Sequence, residues 1–131
     1  MELKVLIVDD NDMILFLHKE VLEMSDLSQN PLIFSNGKET FDYLLQTQQS
    51  EDAFLVLLDL DMPIMNGFGL LEHLSELENS KNIYVVIVSS SVDEKDKIKS
   101  FSFSNAIDFI EKPLTISDCE RLKELPFFKN N

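Results

Sequence analysis

The feature that most constrains this chain is a short apolar run that ends in a carboxylate. Residues 54–58 read Phe-Leu-Val-Leu-Leu, and Asp59 follows them directly. The run is too short for a helix, and Pro63 and the Asn66-Gly67 pair close it, so it predicts a strand that is covered on both faces in a parallel sheet. Ligands of open α/β sheets bind outside the carboxyl ends of the strands. Asp59 is therefore either aimed at a ligand site or a loop aspartate after a core strand, and the other strand ends decide between the two.

Strand-like and helix-like segments alternate along the rest of the chain. After the first strand-like run, for example, Ile14, Leu17 and Val21 recur at helical spacing. Five such alternations predict a doubly wound, mostly parallel α/β sheet with helices on both faces. The predicted strands are residues 3–8, 31–34, 54–58, 83–88 and 107–110.

Local signals predict how several helices begin and end. Asp12 is expected to be the N-cap of the first helix, and Thr115 or Ser117 that of the last, because such side chains accept hydrogen bonds from free backbone N–H groups. Asn105 is expected to end the fourth helix in a left-handed conformation, which Asn tolerates.

Composition limits the class of protein. The 131 residues suit a single domain, which we expect to span residues 1–131. A formal net charge of −13 disfavours direct binding to DNA or RNA. Cys119 is the only cysteine, which excludes an intrachain disulfide and fits a reducing compartment. The amino terminus lacks a signal-peptide layout and no apolar run approaches the ~20 residues of a membrane helix, so we expect a cytoplasmic protein.

The groups that follow the predicted strands suit phosphoryl transfer. Asp9 and Asp10 follow the first strand, Asp59 the third, Ser89 the fourth and Lys112 the fifth. Because the carboxyl ends of parallel strands meet at one edge, these groups are expected to converge. Clustered carboxylates need a cation among them, and Mg²⁺ prefers carboxylate oxygens. The set predicts a site in which Asp59 is the nucleophile, while Mg²⁺ and Lys112 neutralise the transferring group.

At this point the chain resembles the receiver domain of two-component response regulators. The likeness covers nearly the whole chain and implies a flavodoxin-like fold with strand order 2-1-3-4-5 and five helices. It departs from the common pattern in Phe109, where Tyr is frequent, and in the Asn105-Ala106 pair, where Gly-Ala is usual. The motifs that carry the resemblance are residues 5–11, 57–63, 65–67, 86–90 and 106–113.

The resemblance implies a role for each site residue. Asp59 corresponds to the phosphoacceptor, Asp9 and Asp10 to the acids that bind Mg²⁺, and the backbone carbonyl of Asp61 to a further metal ligand. Lys112 corresponds to the lysine that pairs with the phosphoryl group.

Two further pairs of residues receive roles from the resemblance. Ser89 corresponds to the switch hydroxyl and Phe109 to the switch aromatic residue. Asp61 and Ser91 are expected to flank the path of the hydrolytic water and to set the lifetime of the phosphoryl group. The peptide bond before Pro113 is expected to be cis.

The implied function is that of a stand-alone response regulator in the phosphorelay of a two-component system. A sensor histidine kinase or a histidine phosphotransfer protein would supply the phosphoryl group, since His18 and His73 lie in helical patterns and are predicted to be surface residues. A downstream protein would bind the face formed by the fourth helix, the fifth strand and the fifth helix. The chain would not be an enzyme beyond accepting the group and slowly releasing it.

Two alternatives belong to other classes. Asp59-Leu60-Asp61 also matches the nucleophile motif of haloacid dehalogenase-type phosphatases, but in that family the motif lies on the first strand and the metal-binding acids come last. The second alternative is a receiver-like binding module that is not phosphorylated, and the complete set of acids, hydroxyl and lysine argues against it.

Overall fold

The computed structural model describes residues 2–91 and 93–129 of the chain. Within them a five-stranded, wholly parallel sheet has the order β2-β1-β3-β4-β5. The predicted fold class and strand order are therefore confirmed. The strands are β1 (Leu3–Val8), β2 (Leu32–Phe34), β3 (Ala53–Leu58), β4 (Ile83–Ser89) and β5 (Ala106–Glu111).

The five predicted helices are present, and one further turn of helix follows them. A short 3₁₀ helix, Ser80–Asn82, lies between the third helix and β4. Pro126 begins the additional helix, α6, after α5 has ended. The helices are α1 (Asp12–Met24), α2 (Gly37–Gln46), α3 (Gly67–Leu74), α4 (Glu94–Phe101), α5 (Ile116–Lys123) and α6 (Pro126–Lys129).

The sheet separates two apolar clusters. All six residues of β3 are buried, and its side chains alternate between the clusters because successive residues of a strand point to opposite faces. One cluster packs β3 against α2 and α3, and the other packs it against α1 and α5. A strand covered on both faces needs no polar alternation, which explains the continuous apolar run at residues 54–58.

Two local predictions were wrong. Asn11, not Asp12, caps α1, because its side-chain oxygen accepts hydrogen bonds from the backbone N–H groups of Met13 and Ile14. Asn105 does not adopt a left-handed conformation. Its side chain is buried and donates to the backbone carbonyls of Ser80 and Ile83, so it ties the start of β5 to the start of β4.

Other caps agree with the sequence. Thr115, one of the two predicted candidates, caps α5 in a reciprocal capping box with Asp118. Asp93 caps α4, which ends at Phe101.

The length and polarity of the helices bear on whether the chain could cross a membrane. Among the helices in the part of the chain that the structure describes, none is both long and apolar enough to span a bilayer.

Candidate functional site

The carboxyl ends of β1 and β3 bring the predicted acids together. The backbone N–H of Asp59 donates to the carbonyl of Val8 at 3.0 Å, which extends the pairing of the two strands up to the acids. One carboxylate oxygen from each of Asp9, Asp10 and Asp59 lies within 4.8 Å of the others. Asp9 and Asp59 are buried, whereas Asp10 is exposed. The cluster therefore opens to solvent on one side.

Lys112 supplies the positive charge between the two buried acids. Its Nζ lies 2.6 Å from Oδ2 of Asp9 and 3.2 Å from Oδ1 of Asp59. The backbone N–H of Lys112 donates to the carbonyl of Ser89 at 2.9 Å, so the end of β4 fixes the start of the turn that carries the lysine. The Lys112–Pro113 peptide bond is cis, as the resemblance implied.

Burial and neighbouring charges set the electrostatics of the site. Burial raises the pKa of Asp59, and the charge of Asp9 raises it further, although Lys112 and the backbone N–H of Asp61 act in the opposite direction. Burial opposes the charge of Lys112, but the hydrogen bond to Asp9 and the charges of Asp59 and Asp9 outweigh it and raise the pKa of the lysine. Lys112 therefore stays protonated, while an additional cation would favour the ionised form of Asp59.

The donor set fits a hard divalent cation. Its three candidate ligands are carboxylates, and the exposed position of Asp10 leaves room for the waters that Mg²⁺ normally keeps. Three negative charges against the single ammonium of Lys112 leave a negative excess, which a divalent ion would neutralise. Asp61 is exposed, and its backbone N–H donates to Asp59.

Two of the three serines at the end of the fourth strand, Ser89 and Ser91, have different surroundings. Ser89 is fully buried, and its Oγ accepts a hydrogen bond from the backbone N–H of Ser91 at 3.0 Å. The hydroxyl of Ser91 donates to Asp96 at 3.0 Å and accepts from the backbone N–H of Asp93 at 3.2 Å. Ser91 therefore connects the site to the first turn of α4.

Phe109 lies beside this loop on β5. Its ring is partly buried and packs against the apolar cluster shared by β3, α2 and α3. A cavity of about 170 Å³ lies between Phe109 and the start of α4, with Ser91, Lys97 and Glu111 in its lining. The ring therefore borders this cavity.

Comparison with known proteins decides the family. Residues 5–123 match the sequence profile described as the response regulator receiver domain. The chain belongs to this family. Among its relatives is the two-component response regulator ARR17 of Arabidopsis thaliana, which is 36% identical over 93% of this chain and 83% of that protein. Two-component response regulator 24 of the same plant is 34% identical over 88% of this chain and 78% of that protein.

Solved structures agree with the receiver fold. A response regulator receiver protein from Dyadobacter fermentans superimposes with a TM-score of 0.81 and 30% identity, covering 92% of this chain and 95% of that one. A two-component response regulator from Cytophaga hutchinsonii has the same fold, with a TM-score of 0.84 at 24% identity over 100% of this chain and 98% of that one.

Gly67 is a receiver residue whose role only the structure makes clear. It begins α3, and a Cβ at this position would lie 2.5 Å from the carbonyl oxygen of Asp59 and 2.9 Å from Cα of Leu60. Its N–H donates to the carbonyl of Leu60 at 3.1 Å. The Asn66-Gly67 pair signalled a turn in the sequence, but not that α3 starts directly against the backbone of the acid.

His18 is a second residue that the sequence did not place correctly. It was predicted to be a surface residue of the first helix, but only 2% of it is exposed. Its Nε2 accepts a hydrogen bond at 3.1 Å from the backbone N–H of Leu114, two residues after Lys112. The partner is remote in sequence, so no local pattern could have indicated it. His73, the other histidine, is exposed as expected.

Proposed function

We propose that this receiver domain accepts a phosphoryl group on Asp59 in a reaction that requires Mg²⁺, and that it passes the signal to a protein partner. The observation that carries the proposal is the convergence of Asp9, Asp10, Asp59 and Lys112 at one edge of the sheet. A receiver of the sensor histidine kinase PA1611 from Pseudomonas aeruginosa, with the same fold, has been described with a magnesium ion coordinated in its active-site cleft.

Asp59, the neighbouring acids and Lys112 would have different roles in the phosphoryl transfer. An oxygen of Asp59 attacks phosphorus in line with the leaving nitrogen of a phosphohistidine, so that an O–P bond forms as the P–N bond breaks. Bound at Asp9, Asp10 and Asp59, and at the carbonyl of Asp61, Mg²⁺ would supply charge neutralisation to the transferring group. Lys112 can exchange its contact with Asp59 for one with a phosphoryl oxygen, because its Nζ already lies 3.2 Å from that carboxylate.

The phosphodonor is proposed to be a sensor histidine kinase or a histidine phosphotransfer protein. His18 is buried and its Nε2 accepts from Leu114, and His73 is exposed on α3, so we infer that the donor histidine belongs to another chain. The helix that begins next to the acids exposes an apolar surface to receive that protein, because Met13 is 77% exposed and Phe16 59% exposed. Leu17 and Met24 continue this apolar stripe along α1.

The output is proposed to pass through the face formed by α4, β5 and α5. When Ser89 turns toward a phosphoryl oxygen, its Oγ gives up the hydrogen bond from Ser91, and the loop before α4 moves with it. Phe109 can then rotate inward, and having no hydroxyl it loses no hydrogen bond when it is buried. The partner protein would distinguish the two states of this face.

Intact mass spectrometry tests the proposal directly. After incubation with acetyl phosphate, the wild type should gain one phosphoryl group with Mg²⁺ and none with EDTA, and Asp59→Asn should gain none. Asp52→Asn is the matched control, because Asp52 precedes the same strand at its opposite end. Equal labelling of wild type and Asp59→Asn would overturn the assignment. Steady turnover of p-nitrophenyl phosphate would instead indicate the phosphatase alternative.

A further inference from the structure

The Lys112–Pro113–Leu114 turn is held at both of its ends. Before the turn, the N–H of Lys112 donates to the carbonyl of Ser89. Pro113 has no N–H, so Leu114 offers the first backbone donor after the lysine. That donor is buried and its acceptor is Nε2 of His18, on α1 at the opposite end of the chain.

The hydrogen bond specifies the chemical form of the imidazole. A backbone N–H can only donate, so Nε2 must carry a lone pair and the ring proton of the neutral form is on Nδ1. Burial is the largest influence on the pKa of His18 and lowers it; the charge of Asp9 acts in the opposite direction and the charge of Lys112 in the same direction. Burial lowers the pKa of His18 and so favours the neutral ring that can accept from Leu114.

We propose that His18 is a positioning residue for phosphoryl acceptance, acting through the N–H of Leu114 to hold Lys112 between Asp9 and Asp59. The inference deepens the function proposed above and rests on it. Without the imidazole acceptor, the buried N–H of Leu114 would have to find another partner, and the turn would shift. Lys112 is the side chain that such a shift would displace, because it begins the turn.

Two substitutions separate an accepting role from a packing role. In His18→Gln, Oε1 is the same number of bonds from Cβ as Nε2 of histidine and can accept from Leu114. His18→Leu is apolar and fills the volume without an acceptor. Because His18→Leu can also impair folding, His18→Asn serves as a second variant, since it is polar but its acceptor is one bond shorter. Leu22→Val is the control for packing, because Leu22 is a fully buried residue of the same helix.

The rate of labelling by acetyl phosphate at saturating Mg²⁺ is the first readout. We expect His18→Leu and His18→Asn to be at least about 10-fold slower than wild type, and His18→Gln and Leu22→Val to stay within about 3-fold. Wild-type rates in His18→Leu and His18→Asn would overturn the inference. So would a loss in His18→Gln as large as that in His18→Asn, because the acceptor would then be irrelevant.

NMR without any phosphodonor is the second readout. The amide of Leu114 and the side-chain ammonium of Lys112 should shift in His18→Asn and remain near their wild-type positions in His18→Gln. Unchanged resonances in His18→Asn would refute the positioning role even if the wild type is labelled normally. Conversely, if the wild type takes no label, the proposed function fails while the NMR comparison still reports on His18.

Discussion

The two edges of the sheet carry the same kinds of charged group and use them differently. At the amino edge, Lys4 of β1 pairs with Asp52 before β3 at 3.4 Å, and the lysine side chain is 36% exposed. At the carboxyl edge, Lys112 pairs with Asp9 and Asp59, whose side chains are 3% and 5% exposed. An exposed pair contributes about 0–1 kcal/mol to stability, whereas buried charges interact strongly and must be compensated. Burial and an excess of acid, not the presence of an ion pair, distinguish the functional edge.

Removing each lysine should give the largest contrast. We expect Lys112→Ala to lower the rate of labelling by acetyl phosphate about 100-fold, or about 2.7 kcal/mol in the barrier, because a cation aimed at the transferring group is lost. Lys4→Ala should leave that rate unchanged. Stopped reactions followed by intact mass spectrometry measure both rates. Similar slowing in the two variants would show that the charge of the whole protein, not its placement, controls the reaction.

Mg²⁺ should stabilise the folded protein through the acids at the carboxyl edge and not through those at the amino edge. An ion that binds only the folded state raises the free energy of unfolding by about 2.7 kcal/mol at a concentration 100 times its Kd. We expect this gain in the wild type and in Asp52→Asn, and little of it in Asp9→Asn, which has lost a candidate ligand. Urea denaturation with Mg²⁺ or EDTA gives the comparison. A gain that persists in Asp9→Asn would place the ion elsewhere.

Neutralising the acid at each end of β3 should change stability in opposite directions. Because burial raises the pKa of Asp59, ionising it above that pKa costs the folded state stability. In EDTA at pH 7 we expect Asp59→Asn to be more stable than wild type by about 1 kcal/mol. Asp52→Asn should be slightly less stable than wild type, because hydrogen bonds from Ser50, Glu2 and Lys4 lower the pKa of Asp52 against the effect of burial.

The stability advantage of Asp59→Asn should depend on pH. The ordinary pKa of Asp59 is 3.8, and a raised value in the folded state means that the folded protein binds more protons than the unfolded chain between the two values. The advantage of Asp59→Asn over wild type should therefore shrink as the pH falls from 7 toward 3.8. An advantage that grows on acidification would contradict the direction of the shift.

Among the non-glycine residues that the structure describes, one near each edge of the sheet has a left-handed backbone. Ile64, in the loop after β3, has φ 72°, and Asp26, which lines a cavity beside Lys4, has φ 59°. A β-branched residue is strained there, while Asp tolerates the conformation. We expect Ile64→Gly to raise the free energy of unfolding by about 1 kcal/mol. Asp26→Gly should raise the free energy of unfolding by less, because the substitution also removes the hydrogen bond that Asp26 accepts from Gln29. Thermal or urea unfolding measures both changes. Equal increases in the free energy of unfolding for the two variants would argue against strain at Ile64.

The smallest effect concerns the lifetime of the phosphoryl group. We expect Asp61→Ala and Ser91→Ala each to change the rate of dephosphorylation by more than about 3-fold, or about 0.6 kcal/mol in the barrier, because both residues are proposed to flank the path of the water. Ser50→Ala is the control at the amino edge, where Ser50 accepts from the backbone N–H of Asp52. Asp96→Asn tests whether Ser91 acts through its contact with α4. Overlapping decay curves for both site variants would remove them from the mechanism.

The carboxyl edge was largely predictable from the sequence. The sheet places the end of every parallel strand at one edge, so Asp9, Asp59 and Lys112 could be brought together from their positions after the strands. Helical spacing also predicted α1 correctly, but it did not show that Leu17 would be exposed. Spacing finds a helix and not its inward face when apolar residues lie all round it.

What could not be predicted depends on contacts between distant parts of the chain. His18 is buried because it meets Leu114, and Asn105 is held by Ser80 and Ile83. The cap of α1 is a different kind of error, because Asn11 and Asp12 are both good caps and only the backbone direction after β1 decides between them.

Gly67 allows α3 to pack directly against the backbone of Asp59. With a prospective Cβ only 2.5 Å from the carbonyl oxygen of Asp59, the first turn of α3 stands against the strand end with no free space between them. The backbone of Asp59 therefore has no room to move toward α3. On the other side, Ser91 and Phe109 border a cavity of about 170 Å³. This packing supports the proposed route of the signal toward α4 and β5.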